Sequence, residues 1–242
     1  MIALYKKELS IFYTTIVGQL IIGSFLLINS LLLWTKMNPS NILENPYASM
    51  DIFFEISPII LLIFIPALSM RTFAEEYNSG TIETILTKPI SILQIISSKY
   101  LAILTLVILS IIPTSMYVLT IYFLGETIGN LDLAGIVGSY IGLVCISSVF
   151  TSISIFASCL TKNQIIAFII GILISITFYF AFDIISSMLD VEIINVLFKK
   201  IGIMYHYDLM SKGLIKLSDI LYFLSLTIVF IKLSELVIYQ KH

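Results

Sequence analysis

Side chains that could do chemistry are few in this sequence and lie far apart. Two histidines, His206 and His242, and two cysteines, Cys145 and Cys159, are all it offers toward an imidazole or thiolate metal site. The cysteines stand 14 residues apart in one apolar run. As helix that is roughly 21 Å, beyond disulfide reach, and no Cys/His spacing fits a metal cluster. HExxH, GxSxG and GxxxxGK[ST] patterns do not occur, which removes the zinc-protease, nucleophile-elbow and P-loop nucleotide chemistries. Asp183 is the one acid deep in an apolar run and thus the candidate intramembrane functional group. It lies about 18 residues into that run, where an interfacial place near one face explains it equally well. The expectation is a chain without catalysis or a cofactor of its own. An intramembrane enzyme working on lipids through Asp183 or His206 is the rival.

The informative stretch is Arg71–Ser91, reading RTFAEEYNSGTIETILTKPIS. It predicts a broken helix. An apolar segment continues through Glu75 and Glu76 and stops at Asn78-Ser79-Gly80, where glycine can take a positive φ. Thr81 can cap a short new helix whose first turn holds Glu83, favoured there by the helix dipole. Lys88-Pro89 ends it, because the residue before proline is pushed out of the helical region. Ser91 and Gln94 then form a capping-box pattern opening the next long helix. A short helix held between two long ones could lie against a partner and pass its movement inward. A plain surface loop fits the polarity equally well.

The elements that carry these residues follow from composition. Of 242 residues 59% are hydrophobic and 12% charged, with a mean hydropathy of +1.06; soluble domains run nearer 45–50% and about 25%. The predicted class is an all-α polytopic membrane protein, since long apolar runs without alternation point to helices rather than a barrel. Six spans are read: 16–34, 53–73, 100–124, 133–160, 165–189 and 217–237. Together they form a single transmembrane domain over 1–242, with segment 74–90 on one side and segment 190–216 on the other. Putting both termini inside places eight of the 13 Lys and Arg on the cytoplasmic face, a modest positive-inside bias. Lys6, Lys7 and Glu8 fall on the expected water-facing side of an N-terminal interfacial helix, opposite Ile2, Tyr5, Leu9 and Phe12. Simple positive-inside flanking is the plainer account of the same residues. A net charge of −2 excludes a basic nucleic-acid binder.

Small residues recur every four positions, as Ala134, Gly138 and Gly142 on the fourth span and Ala167, Gly171 and Ser175 on the fifth. Such faces let helix backbones approach closely, either within the subunit or across a dimer.

Pro66-Ala67-Leu68-Ser69-Met70-Arg71-Thr72-Phe73-Ala74-Glu75-Glu76, then Ser79-Gly80-Thr81-Ile82-Glu83-Thr84 and Lys88-Pro89-Ile90-Ser91, resemble the hallmark of type-2 ABC exporter permeases. The resemblance implies six spans with cytoplasmic termini in a bacterial cytoplasmic (inner) membrane. It implies two permease halves over two ATPase subunits, which bind the ATP and Mg, and a coupling helix after the second span. ATPase contact is then expected at Glu75, Glu76, Gly80, Thr81, Glu83 and Thr84. Lys6, Lys7 and Glu8 belong to the interface helix, and the subunit interface falls near the first and fifth spans, favouring the Gly171 face. A second stretch, Tyr205-His206-Tyr207-Asp208, Ser211-Lys212-Gly213 and Ser218-Asp219-Ile220-Leu221-Tyr222-Phe223-Leu224-Ser225, is similar to the outer segment and last span of the gliding-motility-associated subgroup, GldF. That subgroup usually has Arg where Lys212 stands. The function so implied is an ATP-driven permease subunit, pairing with a second copy of itself or a related permease. A non-transporting anchor that uses ATPase cycles for mechanical signalling shares the same features.

Overall fold

The computed structural model describes residues 1–35, 42, 49–125, 131–188 and 192–241. Lys36, Asp190 and His242, which enter the sequence expectations, lie outside them. In chain order the helices are α1 (Ile2–Thr14), α2 (Ile16–Trp34), α3 (Asp51–Ser69), α4 (Arg71–Ser79) and α5 (Thr81–Leu86). Then come α6 (Ile92–Ile111), a 3-10 turn (Ile112–Thr114), α7 (Ser115–Leu124), α8 (Leu133–Leu160) and α9 (Gln164–Ile176). A π turn (Thr177–Ala181), α10 (Phe182–Ser187), α11 (Glu192–Ile201), α12 (Ile203–Ser211) and α13 (Leu217–Lys241) complete the chain. No strand occurs among the described residues. Among the described residues five segments are long and apolar enough to cross a membrane: Asp51–Ser79, Ile92–Leu124, Leu133–Leu160, Gln164–Ser187 and Leu217–Lys241. The first expected span is a shorter apolar helix, Gly18–Trp34.

Helix α8 is the axis of the bundle, with α3, α9, α12 and α13 packed around it. Its Leu143, Ile146, Val149, Phe150 and Ile153 are fully buried. By contrast α9 turns Ile165, Ile169 and Leu173 outward and α13 turns Leu221, Leu224 and Ile228 outward, as lipid-facing helices of a membrane bundle do. The small-residue faces are used inside the chain. A Cβ on Gly142 would meet the Tyr207 ring at 2.8 Å, and one on Gly138 would collide with the carbonyl of Met210. Gly171 lies against Pro66 and Ala157, with a Cβ there at 3.3 Å from the proline. Ala167 and Ser175 are buried on that same face. The Gly171 face expected at a subunit interface is therefore filled by α3 and α8 of its own chain.

The helical stretch Asp51–Ser79 is interrupted twice, and side chains from other helices satisfy the backbone at both places. Pro58 lies inside α3 and has no N–H to give the carbonyl four residues earlier, that of Phe54. Tyr207 Oη donates to that carbonyl at 2.7 Å, from a position 153 residues later in the chain. At Met70 the helix stops and restarts as α4, without a local cap. There the Ser158 hydroxyl of α8 accepts from the amides of Phe73 at 3.0 Å and Ala74 at 3.1 Å, and donates to the Met70 carbonyl at 3.2 Å. Unbonded backbone groups in an apolar interior are costly, so α8 determines where α3 can bend.

The next joint is local. Gly80 adopts φ 72, ψ 5 between α4 and α5, the left-handed geometry that favours glycine. Thr81 does not cap α5, contrary to the sequence reading: it is the first helical residue, and its hydroxyl meets that of Ser79 at 2.9 Å. With Gly80 at the cap position, the turn is made by backbone geometry alone. Helix α5 ends at Leu86, and the Ser91–Gln94 capping box opens α6 as predicted.

Ser158→Ala should lower stability by about 2 kcal/mol, the cost of leaving buried amides unpaired. Gly138→Ala should cost more than Gly171→Ala, because a backbone carbonyl cannot move aside as a proline ring can. Thermal unfolding of the purified protein in detergent checks both.

Candidate functional site

The jointed end of the bundle holds a buried cation. Lys99, near the start of α6, is 1% exposed, and its neighbours on the helix are apolar. An ammonium in such a place requires partners. Its Nζ donates to Glu76 Oε1 of α4 at 2.7 Å, Glu8 Oε1 of α1 at 3.1 Å and the Thr72 carbonyl at 2.8 Å. All three of its protons are thereby used. The Phe73 ring sits 5.0 Å from the same nitrogen. One lysine thus ties α1, α4 and α6 together.

This alters two expectations. Glu8 does not face water with Lys6 and Lys7; it is buried, because the side of α1 that carries it packs on α6. Glu76 is partly buried and bonded to Lys99 rather than free for a partner. Both corrections come from Lys99, whose partners lie 91 and 23 residues away. One signal in the sequence pointed that way: a lysine beginning a long apolar run must find carboxylates somewhere.

The remaining candidates on α4 and α5, namely Glu75, Gly80, Thr81, Glu83 and Thr84, are exposed. Helix α5 buries Ile82 and Ile85 and turns Glu83 and Thr84 outward. A second cation steadies the same end: Lys241 Nζ donates to the Cys159 carbonyl at 2.6 Å and lies 4.5 Å from the Tyr77 ring. A cavity of about 490 Å³ opens between α1 and α2 on one side and α3 to α5 on the other.

At the other end of α3, α12 is wedged against α3 and α8. His206 joins it to α13, with Nδ1 2.8 Å from Asp219 Oδ1 and Nε2 2.8 Å from the Lys200 carbonyl. Its ring stacks on Tyr222 at 4.0 Å. Both ring nitrogens are occupied, so His206 is a strut and offers no free base to a reaction. Gly213, at φ 75, lets the turn after α12 press against Ala134, and Lys212 beside it is exposed. A cavity of about 630 Å³ here is lined by Asp51, Glu55, Tyr179, Tyr207, Asp208 and Lys212. Burial raises the Asp208 pKa above the usual range, with Asp183 and Glu55 adding to it and Lys212 and Lys199 opposing. Among the described residues no group of three or more His, Cys, Asp or Glu is placed to hold a metal ion.

The apolar helices and their outward aliphatic faces define a polytopic helical membrane protein with a charged joint at one end. The chain belongs to the ABC-2 transporter family: the model described as ABC-2 family transporter protein matches residues 9–242. No curated protein matches the chain. It is a membrane subunit of an ABC transporter, a class whose ATPase activity resides in a separate partner subunit.

Lys99→Met should destabilise the protein by about 3–5 kcal/mol, since it strands two buried carboxylates. Changing Lys99, Glu8 and Glu76 together to Met, Gln and Gln should recover most of that loss, which unfolding midpoints measure. For Asp208 the sign is reversed. A carboxyl with a raised folded-state pKa binds its proton more tightly in the folded protein, so stability falls as pH rises from the ordinary carboxylate range to the raised value. Asp208→Asn should therefore raise the midpoint at pH 7, and the gain should shrink toward pH 4.

Proposed function

We propose that this chain is the permease half of an ATP-driven exporter in a bacterial cytoplasmic membrane, with both termini cytoplasmic. Helix α5 is its coupling helix, and Glu75, Gly80, Thr81, Glu83 and Thr84 form the surface that meets the ATPase. The observation that carries this reading is the Lys99 junction, which fastens α4 to α1 and α6 directly behind that surface. A push on α5 then moves three helices rather than one loop. ATP binding to the partner closes the ATPase pair, shifts α5, and changes the bundle from inward to outward opening. Such a shift requires that α5 contact the ATPase differently in the two states.

The cargo path forms against a second copy or a related permease. Because the Gly171 face is occupied within the chain, the open side of α9 at Ile165, Ile169 and Leu173 is the surface left for that pairing. The outer segment, with His206, Tyr207 and Gly213, supports placement in the gliding-motility-associated subgroup, while Lys212 departs from its usual Arg.

Glu83→Lys reverses a charge on an exposed turn and should weaken ATPase binding by about tenfold, with the helices still inserted. Co-purification and hydrolysis equal to the unaltered protein's would count against the contact. In vesicles holding the assembled complex, ATP-dependent movement of cargo identifies an exporter; hydrolysis without movement identifies a mechanical anchor.

A further inference from the structure

The lining of the cavity behind α4 and α5 mixes apolar and charged groups: Ile11, Phe12 and Leu68 belong to it, and so do the cations Lys7, Arg71 and Lys88. Lys99 binds one oxygen of each of Glu8 and Glu76; the second Glu76 oxygen is buried without a partner, and Glu75 is the carboxylate of the lining not tied to Lys99. Among the described residues the side chains of Lys7, Arg71 and Lys88 have no carboxylate partner, and the buried Nε of Arg71 has no acceptor. A guanidinium left without an acceptor at the edge of an apolar span is matched by an anion that arrives with its own apolar part. At about 490 Å³, the space falls within the roughly 300–1,000 Å³ of small-molecule sites.

We infer that this cavity holds the phosphate headgroup of an anionic membrane lipid, with Arg71 and the two lysines on the phosphate and the start of the acyl chains along Ile11, Phe12 and Leu68. Guanidinium and ammonium groups suit a phosphate oxygen cluster, and the aliphatic side makes a membrane lipid a better fit than a free ion. The bound lipid fills the gap between α1 and the α4–α5 joint, so membrane composition sets how firmly that joint is braced. This does not depend on an ATPase partner.

The test uses the full chain purified in detergent, without any ATPase. Native mass spectrometry counts retained phosphatidylglycerol against phosphatidylcholine of the same acyl chains. One phosphatidylglycerol should be retained in clear preference. At roughly fivefold for each cation near a membrane surface, Lys7→Gln with Lys88→Gln should reduce that retention by about 25-fold. Both lysines are exposed, so this variant should fold normally; Arg71→Gln should also weaken retention. Equal retention of the two lipids, or an unchanged preference in the double lysine variant, overturns the assignment. So does displacement of the lipid by inorganic phosphate at matching concentration, which would mark a site for the anion alone.

Discussion

A buried ammonium has to be answered on every side, and at Lys99 that requirement organises the polar end of the molecule. Three protons need three acceptors, and no stretch of chain near residue 99 provides them. They come instead from Glu8 of the N-terminal helix, Glu76 of the segment after α3 and the backbone carbonyl of Thr72. The arrangement is net negative as a group, one cation between two carboxylates, so its strength rests on geometry and not on charge count. Its consequence is mechanical. Helices that meet only through aliphatic side chains can slide; those that share one ammonium keep their register.

The breaks in α3 follow the same logic with neutral groups. Proline removes a donor at Pro58 and a helix end exposes amides after Met70, and each time a hydroxyl from a distant helix completes the bonding. Tyr207 and Ser158 thus connect the two ends of α3 to α12 and α8. The α12 segment and the jointed end are linked through one broken helix resting on one continuous one.

Length and apolarity made the helices legible in the sequence. Local turn chemistry made the Gly80 joint and the Ser91–Gln94 capping box legible as well, because both are decided by residues within four positions of each other. The failures share a cause. Glu8 and Glu76 looked like exposed acids because polarity suggests water unless a partner is known. For the Gly171 stripe the sequence left internal packing and pairing both open, because small residues invite any close backbone; α3 and α8 take that place within the chain. Thr81 looked like a cap because its side chain can serve as one, although the glycine before it already completes the turn.

The sequence by itself therefore determined an apolar helical bundle, its joint at Gly80 and its family, since each depends on composition, spacing or a contiguous motif. The tertiary structure decided which polar groups are spent and which remain free. A charge or an orphaned amide in an apolar interior takes its partner from whatever lies nearest in space. For Lys99, Ser158 and Tyr207, that neighbour is many residues away along the chain.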